Sequence, residues 1–125
     1  MTPESIVGLS AAELARAIRE KRVSCVAAME ASLARMKAVH KRLNCLIRSD
    51  DEQALAAAHL ADKELARGAL RGSLHGVPMA HKDMYYRRGV ASTCGSRITR
   101  ERPAASTATA LGRLDAAGSI QFGVL

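Results

Sequence analysis

The apolar positions of this chain keep a helical rhythm in its first half and shorter alternations later, and the change between them predicts its elements. Ser10 followed three residues on by Glu13 is a capping-box pattern: the serine oxygen accepts from the third helical amide and the glutamate reaches back. It predicts a short helix over residues 11–21, with Leu14 and Ile18 on its inner face. Ser24 is placed to cap a longer helix over 25–43, because Val26, Met29, Leu33, Met36 and His40 recur at helical spacing. Core packing is the plain meaning of that methionine-bearing stripe.

Residues 44–49 contain Cys45-Leu46-Ile47 and read as a short buried strand. Asp50, Asp51 and Glu52 then stand at the positive end of a third helix, expected to reach about Arg67 and to stop at Gly68. Its buried side is narrow and alanine-rich, carrying Leu55, Ala58, Asp62 and Leu65, and it asks for a partner from elsewhere. From Gly68 to Gly76 the chain reads as a flexible approach. Residues 77–82 follow as a short strand, which Pro78 confines to an edge or to its own first residues. Residues 87–103 are polar and read as loop. Ser106 or Thr107 opens a last helix holding Leu111 and Leu114, and Gly118 ends it. Residues 119–125 form a final apolar strand with no partner after it, an edge prone to associate with other copies. Helices and strands in alternation predict an α/β fold.

At 125 residues the chain has one domain's worth of sequence or a piece of something larger. An apolar fraction of 48% excludes a solvated disordered polymer, yet 24 residues are alanine and the aromatics are Tyr85, Tyr86 and Phe122 alone. Lys plus Arg is 19 against 12 Asp plus Glu, a formal charge of +7 that invites a nucleic-acid reading. The basic clusters are short and mostly interrupted by acids, with little aromatic interleaving, so solvated helix faces explain them more simply. No run is long and apolar enough for a membrane span, and the first residues carry no secretory pattern. Cys25, Cys45 and Cys94 are odd in number and far apart, which suits reduced thiols in a cytoplasmic protein.

The densest chemistry lies between His75 and Ser96. Strand alternation puts Val77, Met79 and His81 on one face and Pro78, Ala80 and Lys82 on the other. A lysine ending an apolar strand beside small residues is open to desolvation. To act as a base near neutrality it must lose about 3 units from ~10.4. Apolar walls and the cations Arg87 and Arg88 are the means at hand. Asp83 would oppose the shift only if it shared the lysine's face. Two other arrangements have less behind them. Cys94 with His75 or His81 would make a nucleophile pair, but nothing in the spacing favours it over an inert thiol. His75, His81 and Asp83 fit no common metal-ligand spacing.

The block L-H-G-V-P-M-A-H-K-D-M-Y-Y-R-R-G-V-A-S-T-C-G-S-R-I resembles the lysine segment of the amidase signature family. The flanking helices, the Asn-Cys-Leu-Ile strand and the closing A-T-A-L-G-R-L-D-A-A-G-S-I-Q-F-G-V-L extend the likeness over nearly the whole chain. The resemblance implies the N-terminal part of that fold, a mixed sheet covered by helices. Residues 1–68 would be its mainly helical start, and 69–125 the beginning of the lysine-bearing core. It implies a Ser–cis-Ser–Lys amide hydrolase in which Lys82 is the general acid/base, acting through a bridging serine on a nucleophilic serine. It implies a small-molecule amide substrate and no metal or cofactor; the apolar pattern speaks against a membrane partner and the broken basic clusters against a nucleic-acid one. The family's serines and oxyanion loop lie in a G-G-S-S-G-G-type motif beyond the lysine, and none of the 43 residues after Lys82 resembles it. These 125 residues are therefore expected to lack hydrolysis of their own. The alternatives are a fragment like the A subunit of glutamyl-tRNA amidotransferase, although H-K-D-M-Y-Y looks more like the free-standing amidases, and a basic RNA-binding remnant.

Overall fold

The first half of the chain is built from helices whose caps are written into the sequence. In the computed structural model, which describes residues 1–99 and 102–125, these are α1 (Pro3–Val7), α2 (Ala11–Arg19), α3 (Cys25–Leu43) and α4 (Asp51–Ala66). α1 is an addition to the predicted elements. Thr2 caps it through a 3.3 Å bond from the Ser5 amide, Pro3 opens it, and Ile6 is buried. α2 forms on the expected box: Glu13 N–H donates to Ser10 Oγ at 3.3 Å, and Ser10 N–H donates to Glu13 Oε2 at 2.8 Å. It stops two residues short of Lys21, which is left-handed at φ 58°. The Lys21 and Arg22 amides return to the Ile18 and Ala17 carbonyls, a closure usually given to glycine. α3 starts at the predicted Ser24 cap and ends on left-handed Asn44.

α4 also starts and stops as expected, with Asp50 as cap and Gly68 at φ 78° beyond its end. Its buried face is rotated from the one expected. Ala54, Ala58 and Ala61 are buried, while Leu55, Asp62 and Leu65 flank them half-exposed. The partner is α3 of the same chain, brought close by these small side chains. Asp62 becomes a cap for that neighbour: its carboxylate accepts from the Cys25 amide at 2.7 Å and the Val26 amide at 3.1 Å.

The sheet holds β1 (Arg48–Ser49), β2 (Pro78–His81) and β3 (Ile120–Val124) in the order β1-β3-β2. Two expectations are corrected here. The strand at 44–49 shrinks to two exposed residues, because Leu46 N–H is spent on His40 Nδ1 and pairing begins only where Ile47 N–H reaches the Val124 carbonyl. The final strand is not unpaired. β3 is central, antiparallel to β1 and parallel to β2, so the association expected through its open edge loses its basis. β2 lies at an edge with Pro78 as its first residue, as proline requires. A bulge at Phe122 shifts the register, with Met79 opposite Gln121 and Ala80 opposite Gly123, and Phe122 is buried in the core with Ile120.

Residues 68–76 are held rather than loose. His75 is buried, its Nε2 2.9 Å from the Ala61 carbonyl while Nδ1 accepts from the Arg71 amide. Gly76 sits at φ 76°, where a Cβ would lie 2.2 Å from Cys25 Sγ. The last helix, α5 (Thr109–Ala116), buries Leu111 and closes at Gly118 as predicted. Its cap position is Ala108, without a side-chain bond. Thr107, one of the two residues expected there, instead accepts from the Arg88 amide. Residues 87–103 are largely irregular, tied down at isolated bridges between Arg88 and Ala104 and between Ala91 and Pro103; Arg100 and Glu101 lie outside the described residues.

Candidate functional site

β2 and β3 run parallel, and the chain between them passes through α5, so both strands end at the same side of the sheet. In open α/β sheets that carboxyl side is where ligands are met. Lys82 is the first residue past β2. Its peptide unit is bracketed by one residue: Leu125 N–H donates to the His81 carbonyl at 2.8 Å, and Asp83 N–H donates to the Leu125 carbonyl at 2.9 Å. The Lys82 carbonyl accepts from the Met84 and Tyr85 amides, turning the chain away from the strand.

The desolvation expected for Lys82 is not present within these residues. Its side chain is exposed, and so are Met84, Tyr85 and Tyr86 just after it. Arg87, expected to press on the amine as a cation, is held by Asp115 in a two-pronged pair of 2.8 and 3.1 Å. Asp83 does not share the lysine's surroundings. It is buried, and its carboxylate accepts the Thr93 hydroxyl at 2.6 Å and the Thr93 amide at 3.1 Å. Burial pushes its carboxyl up, but the bonds from Thr93 and Ser92 and the nearby Arg48 outweigh this and leave it below the usual range.

His81 is buried on the opposite face of β2, its Nδ1 against the Gln121 amide nitrogen on β3. Desolvation lowers its pKa, and the charges of Arg87 and Arg48 add to that. The face it shares with Arg48, Gln53, Arg87 and Gln121 lines an open groove of about 670 Å³, and Lys82 is not among its walls. His75 has both ring nitrogens occupied by backbone partners, which removes it from the pairings considered for Cys94 and for a metal. Cys94 is exposed and left-handed at φ 47°, its amide donating to the Asp83 carbonyl. Among the described residues no three His, Cys, Asp or Glu side chains gather in a way that would hold a metal ion. Sequence reasoning treats Asp83 as a rival to Lys82 or a stray ligand. Its bond to Thr93, ten residues away, has no local signal.

The family whose sequence model matches this chain is Amidase, over residues 27–125. Among curated proteins, the A subunit of the glutamyl-tRNA(Gln) amidotransferase of Alkalilimnicola ehrlichii is 42% identical over 112 residues, covering 90% of this chain and 23% of the relative. That of Lachnospira eligens is 39% identical over 119 residues, 95% of this chain and 25% of the relative. The chain thus spans about a quarter of the length of the curated relatives it matches. Among solved structures, a crystal structure of an amidase superposes with a TM-score of 0.83 at 33% identity, over 93% of this chain and 26% of that one. The peptide amidase of Stenotrophomonas maltophilia gives 0.80 at 28% identity, over 92% and 24%. Fatty acid amide hydrolase gives 0.92 over 99% of this chain and 22% of that one; at 24% identity this is a likeness of fold.

Proposed function

The chain belongs to the amidase family, and from that premise we propose that it is the lysine-bearing portion of an enzyme that hydrolyses carboxamides to carboxylate and ammonia or amine. Lys82 is the general acid/base. Its amine takes a proton through a bridging serine from a nucleophilic serine, whose oxygen attacks the amide carbon. The proton passes to the departing nitrogen, and an acyl-enzyme is left for water to cleave. Both serines belong to chain beyond these 125 residues, so the residues alone are expected to be inactive. The observation that carries this reading is the place of Lys82 at the shared carboxyl side of β2 and β3, its backbone bracketed by Leu125.

The three separate thiols favour a cytoplasmic setting for the enzyme. No helix among the described residues is long and apolar enough to cross a membrane. The test is the intact mass of the native gene product, with the reading frame followed past the Leu125 codon, beside an amide-turnover assay of the 125 residues alone. A heavier product that turns over amides, with an inert 125-residue chain, is the expected result. A native product of only 125 residues would remove the catalytic reading and leave a remnant or a basic module.

The 42% identity to an amidotransferase A subunit favours a second reading, in which the same lysine serves release of ammonia within a multi-subunit enzyme acting on a tRNA-linked substrate. Turnover of free amides by the purified single gene product separates the two, since the second reading requires partner subunits.

A further inference from the structure

The backbone that carries Lys82 is locked from two directions. On one side Leu125, at the end of β3, accepts from Asp83 and donates to His81, so its two bonds straddle Lys82. On the other side the Asp83 carboxylate grips Thr93, and the Asp83 carbonyl accepts from the Cys94 amide at 3.2 Å. Thr93 is in turn fixed by Thr99, whose hydroxyl donates to the Thr93 carbonyl at 2.9 Å. Arg48 of β1 reaches over to the Ala91 carbonyl with both terminal nitrogens at 3.2 Å. The result is a closed ring of bonds from β1 through residues 91–99 to Asp83 and back to β3. The Lys82 side chain projects from it into the open.

A long, exposed lysine has no packing of its own to set its direction, so its aim depends on the peptide unit beneath it. Asp83 is 4% exposed, and a carboxylate so placed is held charged only by donors such as Thr93. We propose that Asp83, through Thr93, is the positioning residue for Lys82: it fixes the Lys82–Asp83 turn so that the amine meets the serine relay at one distance. This rests on the catalytic reading of Lys82 given above. Asp83 itself takes no proton in the reaction.

The experiment uses the gene product with Asp83→Asn, Thr93→Val and Thr93→Ser, read by amide hydrogen exchange and by kcat and KM separately. Thr93→Val removes the hydroxyl bond and leaves the amide one. The expected result is exchange about tenfold faster at Asp83, Cys94 and Leu125, with the Ala28 amide of α3 unchanged. kcat falls about tenfold at constant KM, and Thr93→Ser returns both readouts toward the parent. Exchange rising equally everywhere marks a general stability role and overturns the proposal. So does an unchanged kcat in Asp83→Asn and Thr93→Val while Lys82→Ala is inactive. If Lys82→Ala retains turnover, the catalytic reading falls, and the clamp on the turn stands or falls on the local exchange pattern alone.

Discussion

The Asp62 carboxylate of α4 accepts the Cys25 amide proton at 2.7 Å, so the first turn of α3 is capped by its neighbour as well as by its own Ser24. Asp62→Ala leaves two partly buried amides without an acceptor, and a loss of about 1–2 kcal/mol in urea unfolding is predicted. Asp62→Asn keeps one acceptor and loses less.

The Cys25 thiol lies in the same place, buried beside Asp62. Burial and, next, Asp62 push it up to about 12. At neutral pH a thiol reagent should therefore modify exposed Cys94 first and reach Cys25 only on unfolding, as peptide mass mapping against time would show.

Gly76→Ala is predicted to cost more than about 2 kcal/mol, because φ 76° disfavours a side chain and the new methyl meets Cys25 Sγ. Cys25→Ala removes the sulfur. The double variant should then be less destabilised than the sum of the singles, a coupling that a double-mutant cycle measures directly.

Lys21 and Gly68 do the same work at the ends of α2 and α4, both left-handed. Lys21→Gly relieves a strained side chain and is predicted to raise stability by about 0.5–1 kcal/mol in thermal unfolding.

Acid should weaken the fold in two stages. His81 titrates below the ordinary ~6.5 because burial and then Arg87 and Arg48 disfavour its charged form. The unfolded chain takes up that proton first, so stability present above ~6.5 declines as pH falls through the lower folded value. Asp83 lies below its ordinary ~3.9, and Asp51, beside Lys37, moves the same way. Their contribution is complete above about pH 4 and is lost as pH falls through the folded values. Urea midpoints should show both steps, and Asp83→Asn should flatten the second.

These outcomes also mark where the sequence was legible. Ser10 with Glu13, Ser24, Asp50 with Gly68, and Gly118 are local signals, and each set the end of a helix where expected. Pro78 placed β2 at an edge, and the block around Lys82 carried the family. What failed was long-range. Nothing near Ile120 tells that β1 and β2 close on both its sides, and nothing within α4 tells that its alanines would meet α3 while Asp62 reaches α3's amides from the margin. α1 escapes a periodicity reading although Thr2-Pro3-Glu4 is a start signal, since five residues give little periodicity. The burial of His75 and Asp83 depends on partners fourteen and ten residues away.

The most direct test of the central claim is amide turnover by the native gene product carrying Lys82→Ala or Lys82→Arg, with folding verified by circular dichroism. If Lys82 is the proton carrier, both variants fold and kcat falls by at least about 100-fold, since neither side chain takes up and returns a proton near neutrality. A folded Lys82→Ala protein that keeps the parent kcat would contradict the account.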